Sequence, residues 1–125
     1  MSQSTGKGTA EEGGRADGWV AGGAELMVDG STLVLCGDLD VRSTPEVRTA
    51  LYDLLASCEG DVAVDLTGVT AIDLTALKVL AMATREAGHE GRHLVLRGCG
   101  PAVRRMLHLS RLIRLVEVDR AAATA

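Results

Sequence analysis

The sequence predicts an α/β domain: a mostly parallel sheet of four to five strands, opened by an N-terminal antiparallel hairpin, with helices packed on it. Three observations carry this reading. Short apolar runs alternate with segments of helical periodicity in the order β-β-α-β-α-β-α-β, the pattern of a largely parallel sheet. The first two apolar runs flank Asp29-Gly30-Ser31, a turn suited to a hairpin. The chain has 125 residues, 46% of them hydrophobic, which supplies one core and no more.

Residues 24–28 and 32–37 form the hairpin strands. Asp38-Leu39-Asp40 is expected to leave the sheet. Ser43 or Thr44 can cap a helix that has Pro45 at its first position and Glu46 close behind. Val47, Leu51, Leu54 and Leu55 recur at helical spacing, so this helix runs to about Ser57. Val62-Ala63-Val64-Asp65-Leu66 is a nearly continuous apolar run, expected to be a strand covered on both faces. Thr67-Gly68-Val69-Thr70 is expected to turn the chain. Asp73 caps a helix over 74–87, with Gly88 as its stop. A strand over 93–96, a helix over 102–109 and a strand over 115–118 complete the order. Residues 1–18 are rich in Gly, Ser, Thr and acidic residues and predict a flexible tail. The domain is expected over 19–119, with a second flexible tail over 120–125.

Composition excludes several function classes. There is no Phe, one Trp and one Tyr, so aromatic platforms for stacked bases are missing. The net charge of −4 argues against a general polyanion binder; nucleic acid is not an expected partner. The charge is unevenly spread: residues 19–73 hold 10 acidic and 2 basic residues, residues 74–125 hold 4 and 9. That division suggests a charge-sensitive protein interface. Cys36, Cys58 and Cys99 show no zinc-ligand spacing, so no metal or other cofactor is expected. Three such cysteines suit a reducing compartment. No run reaches the roughly 18 apolar residues of a membrane span, so no membrane insertion is expected. The first 18 residues lack the apolar centre of a signal peptide. A cytoplasmic protein is the resulting expectation.

In open α/β sheets, function sits where strands hand over to helices at their carboxyl ends. Three junctions qualify: residues 37–44, 66–75 and 97–101. The second is the most informative. With Asp73 as cap, Thr75 falls in the first turn of the helix, near the surface. Free N–H groups and the helix dipole there favour an attached phosphate. A solvated hydroxyl without a role is the plainer reading of the same residue.

Three stretches resemble anti-sigma factor antagonists of the STAS-domain family. Gly37-Asp38-Leu39-Asp40 followed by Thr44-Pro45-Glu46-Val47-Arg48 resembles the family's G-E-L-D and A-P-E-L-R. Residues 62–77, running through Ile72-Asp73-Leu74-Thr75-Ala76-Leu77, resemble V-x-L-D-L-S-x-V-x-F-I-D-S-S-G-L. Pro101-Ala102-Val103-Arg104-Arg105-Met106-Leu107 and the residues to Leu112 resemble S-P-x-V-R-R-L-L-E-L-T-G-L. The likeness covers about residues 19–119. It implies a STAS-like single domain that is not an enzyme. It implies an antagonist that binds an anti-sigma factor serine/threonine kinase and frees the sigma factor. It further implies inactivation by phosphorylation at Thr75 and reversal by a regulatory phosphatase. By position, Asp38, Asp40, Thr44, Asp73, Leu74, Ala76 and Lys78 would then meet the partner. Leu74, Ala76 and Lys78 depart from the family's Ser, Gly and uncharged residue at those places. A STAS scaffold that is not phosphorylated, or a subunit of a sensory or transport assembly, is the alternative.

Two other patterns invite enzymatic readings. Cys99-Gly100-Pro101-Ala102-Val103-Arg104-Arg105 formally reads C-x5-R, the spacing of a thiol phosphatase, after a strand and before a helix. Pro101 removes one of the loop N–H donors such a site needs. His89, His93 and His108 fall at none of the three motif stretches' acceptor positions, and a surface or helix-end role explains them. Arg104, Arg105, Arg111 and Arg114 form a basic cluster, read either as a solvated helix face or as a site for phosphates or an acidic partner.

Overall fold

The computed structural model describes residues 18–119. The two expected tails therefore lie outside the described residues, except for Gly18. That residue opens a strand, β1 (Gly18–Ala21), which the sequence reading did not include. The hairpin strands follow as β2 (Ala24–Asp29) and β3 (Thr32–Leu39). Then come α1 (Thr44–Ser57), β4 (Val62–Ile72), α2 (Leu74–His89), β5 (Leu94–Arg97) and α3 (Pro101–Ser110). A 3₁₀ turn, Leu112–Leu115, leads into β6 (Glu117–Val118).

The α/β class and the N-terminal antiparallel hairpin stand. The sheet has six strands, one more than the upper expectation, in the order β1-β2-β3-β4-β5-β6. The β1–β2 and β2–β3 pairs are antiparallel, and β3–β4, β4–β5 and β5–β6 are parallel. Three successive crossovers all step in the same direction across the sheet. With right-handed connections they stack all three helices on one face. Accordingly α1 packs on α2, and α2 touches α3.

The core lies between that face and the helices. Leu33, Leu35, Val64, Leu66, Leu94 and Leu96 of the sheet are buried with Leu51 of α1, Leu77 and Leu80 of α2, and Val103 and Leu107 of α3. Full burial of each such leucine is worth about 1.5–3 kcal/mol relative to exposure. Leu and Val fill the layer that aromatic residues occupy elsewhere. The opposite face of the sheet has no helix on it. Val34, Asp65 and Val95 alternate onto that face and are only half-buried. The expectation that residues 62–66 are covered on both faces is thus corrected: Val62, Val64 and Leu66 face the helices, and Ala63 and Asp65 face away.

Three further boundaries differ. Thr67-Gly68-Val69-Thr70 does not turn the chain but continues β4, with Gly68 opposite Cys36 and Val69 opposite Gly37. The register shifts between Val34 and Cys36 and between Gly37 and Asp38 absorb this irregular stretch. Asp38 and Leu39 remain within β3 rather than leaving it. Helix α2 runs through Gly88 to His89, since a single helical glycine carries only a modest penalty.

At the amino ends of the strands, Arg92 fastens the layers. Its side chain is only 13% exposed. Nη2 donates to the carbonyl of Leu55 at 2.8 Å, and Nη1 donates to the carbonyls of Cys58 and Gly60. These are carbonyls at and just past the end of α1, where intrahelical donors run out. Glu90 balances the charge at 2.9 Å.

Candidate functional site

The carboxyl ends of β3 and β4 form one pole of the domain. The amide of Asp73 donates to the carbonyl of Leu39 at 2.9 Å, which locks the start of α2 to the carboxyl end of β3. Asp73 also caps α2: its Oδ1 accepts from the amide of Ala76 at 2.9 Å, and its carbonyl accepts from the amide of Leu77 at 3.1 Å. Leu74 and Thr75 are the first two helical residues, so their amides have no intrahelical acceptor. Thr75 is exposed, with its hydroxyl at the positive end of a 16-residue helix.

The residues that follow share one outward face. Leu74 (42% exposed), Lys78, Met82 (57% exposed) and Arg85 recur at helical spacing along α2. Thr75 thus heads a stripe that mixes apolar surface with positive charge. Ala76, expected at the partner surface, is instead buried in the core. It lies a full helix face away from Lys78, so its methyl group supports α2 from beneath. That expectation is corrected.

The neighbouring loop is rigidly built. The Asp40 carbonyl accepts from the amides of Ser43 and Thr44, each at 2.9 Å, and from the Thr44 hydroxyl at 2.9 Å. Buried Ser43 accepts from the Asp40 amide through Oγ at 3.1 Å. Thr44 is half-buried and spends its hydroxyl on this closure. The Asp40 carboxylate accepts from the Arg42 amide at 3.0 Å and from its guanidinium at 2.9 and 3.2 Å. Arg42 holds the Asp40 carboxyl below its ordinary value, through the side-chain bond first and the backbone bond second. The tip residue Val41 is 63% exposed.

Asp38 takes a different partner. Its Oδ1 accepts from the Thr70 hydroxyl at 2.7 Å, across the end of the β3–β4 pair. Its amide donates to the carbonyl of Gly23 at 3.0 Å, which brings the β1–β2 turn against this pole. The structure therefore brings Asp38, Asp40, Thr44, Asp73, Leu74, Thr75 and Lys78 to one end of the domain. Val41, Arg42, Thr70 and the Gly22-Gly23 turn were not anticipated. The spacing Asp40-x-Arg42 was the available signal for the ion pair. Nothing local in the sequence announces the pairing of Asp38 with Thr70, 32 residues away.

The pole carries an exposed hydroxyl and fixed charges. Cys99, the other candidate for chemistry, is buried; burial pushes its thiol up, and Arg104 opposes this only in part. A thiol so placed is not poised as a thiolate. The Arg104 guanidinium Nε donates to the Cys99 carbonyl at 3.1 Å. Among the described residues no group of three or more His, Cys, Asp or Glu side chains could hold a metal ion. Among them, too, no helix is long and apolar enough to cross a membrane.

Comparison with known proteins agrees with this geometry. The family model described as "Mlab, STAS domain" matches residues 24–117. A STAS-domain containing protein of Pseudomonas aeruginosa (strain UCBPP-PA14) is 31% identical over 88 residues, covering 70% of this chain and 86% of that one. An anti-sigma factor antagonist from Mycobacterium paratuberculosis superposes with a TM-score of 0.60 at 24% identity, over 79% of this chain and 83% of that one. The phosphorylated form of the Bacillus cell fate determinant SpoIIAA superposes with a TM-score of 0.56 at 17% identity, over 77% and 90%. At these identities the two solved structures establish a shared fold. From the family match and the curated relative, the chain belongs to the STAS domain family.

Proposed function

We propose that this chain is an anti-sigma factor antagonist. It binds an anti-sigma factor serine/threonine kinase, releases the sigma factor held there, and is inactivated by phosphorylation at Thr75. One observation carries the reading: the Thr75 hydroxyl is exposed in the first turn of α2, beside a rigid loop tied to that turn through Asp73 and Leu39. Asp38, Asp40, Thr44, Asp73, Leu74 and Lys78 supply or support the partner surface around it. The SpoIIAA fold, known in a phosphorylated form, supports a phosphorylation switch on a domain of this shape.

The electrostatics supply a switch. In the phosphoryl transfer, Thr75 Oγ bonds to the terminal phosphorus of ATP, ADP leaves, and the hydroxyl proton is lost. The product adds about 1.5–2 negative charges and a bulky acceptor group. A partner surface fitted to a neutral hydroxyl then meets a dianion. Arg42 neutralises Asp40, so Asp38 and Asp73 are the carboxylates that oppose a relaxed fit, while Lys78 attracts the phosphate. A metal-dependent phosphatase restores the hydroxyl, and the exchange takes place in the cytoplasm.

The test is to incubate the chain with its candidate anti-sigma kinase and ATP and map the product by mass spectrometry. Modification at Thr75 supports the reading. Stable binding without modification favours the second reading, a scaffold or assembly subunit that is not phosphorylated. The departures at Leu74, Ala76 and Lys78 are what favour that alternative.

A further inference from the structure

The pole opposite Thr75 holds two surfaces that complement one another. The first is a groove of about 560 Å³ between the C-terminal ends of α1 and α2. Tyr52, Ala56 and Cys58 give it accessible apolar surface over the nearly covered Leu55 and Ala87, and Glu59 and Glu86 stand exposed at its rim. Arg92 and Glu90 also line it, but their charges are spent on each other and on the end of α1. The groove therefore keeps two unbalanced carboxylates beside apolar surface.

The second surface is the end of α3. Leu109 is 70% exposed there. Arg105 lies one turn before it on the same helical face, and Arg111 follows at the helix end. No Asp or Glu occurs between Glu90 and Glu117, so nothing in this stretch of sequence offsets the arginines. A leucine flanked by cations thus projects from the same chain whose groove is apolar and rimmed by anions.

All three helices run from the carboxyl ends of the strands back to the amino ends. The groove and the end of α3 accordingly share the pole remote from Thr75. We propose that a second copy of this chain occupies the groove, inserting Leu109 between apolar walls while Arg105 and Arg111 face Glu59 and Glu86. Charge complementarity selects the second copy over an unrelated occupant, because one sequence carries both halves of the match. The contact is small, so the association is weak and salt-sensitive. It leaves the Thr75 pole open, and it does not rest on the phosphorylation reading.

Sedimentation velocity of the whole chain tests this between about 10 µM and about 1 mM, the span of weak association. The expected result is a mass above the monomer that falls back as salt is raised. Arg105→Glu and Glu86→Arg alter exposed positions, and each is expected to weaken association at least about tenfold. A one-to-one mixture of these two variants recovers association, since each supplies the surface the other lacks. Leu109→Ser weakens it, and Thr75→Glu leaves it unchanged. A monomer throughout the range overturns the proposal, as does association that ignores both charge reversals or fails to recover in the mixture.

Discussion

Asp73 and Leu39 are joined by a 2.9 Å backbone hydrogen bond that sets the start of α2 against the carboxyl end of β3. The same Asp73 side chain caps α2 through the Ala76 amide. Asp73→Ala removes the cap but leaves the backbone bond. We expect a loss of about 1 kcal/mol in denaturant unfolding. We also expect faster amide exchange confined to the first turn of α2, including Thr75.

Gly37 shapes the same pole from β3. Its φ is +86°, and a Cβ there would lie 2.4 Å from the Gly23 carbonyl oxygen. Gly37→Ala combines left-handed strain with a backbone clash. It is expected to destabilise by at least about 1–3 kcal/mol and to displace the Gly22-Gly23 turn from Asp38. Chemical denaturation gives the first quantity, and the Asp38 amide shift in NMR reports the second.

Arg92 is a structural cation at the other end of the molecule. Arg92→Met keeps much of the stem but deserts the carbonyls of Leu55, Cys58 and Gly60. Unsatisfied acceptors at a partly buried helix end cost about 1–3 kcal/mol in sum. Thermal unfolding of the variant measures this, and the loss should exceed that of Glu90→Gln, which removes only an exposed ion-pair partner.

His93 gives the fold a pH response. Its Nδ1 lies 2.9 Å from Glu117, which raises the imidazole above its ordinary 6.5, with Asp61 adding to the effect. The protonated ring is favoured in the folded state. The stabilisation is therefore complete below about pH 6.5 and is lost as pH rises through the raised value. NMR titration should show His93 titrating above 6.5, and Glu117→Gln should bring it back towards that value. The stability change is small because both side chains are exposed.

Much of this architecture was legible because its signals are local. Pro45 behind Ser43 and Thr44 marks the start of α1, and Asp73 followed by helical periodicity marks the start of α2. Non-local pairing was not legible. Gly68 looks like a turn residue, yet it pairs with Cys36 within β4, where a Cβ would lie 2.6 Å from Cys36 Sγ. Its role is close packing against a neighbouring strand. β1 was missed because Gly18-Trp19-Val20-Ala21 is too short to show a period, and only pairing with β2 makes it a strand. At the site, the Asp73 cap was readable from helix-start chemistry, whereas Thr75 was singled out by the family resemblance. The inward turn of Ala76 depends on how α2 docks on the sheet. The Arg42 pairing depends on the fold of its loop.

The central claim is that charge at Thr75 controls partner binding. The direct measurement is the affinity of Thr75→Ala and Thr75→Glu for the anti-sigma kinase by isothermal titration. Our account predicts that Thr75→Ala binds like the unmodified chain and Thr75→Glu binds at least about tenfold more weakly, a difference of about 1.4 kcal/mol. Equal affinities for the two variants would contradict it.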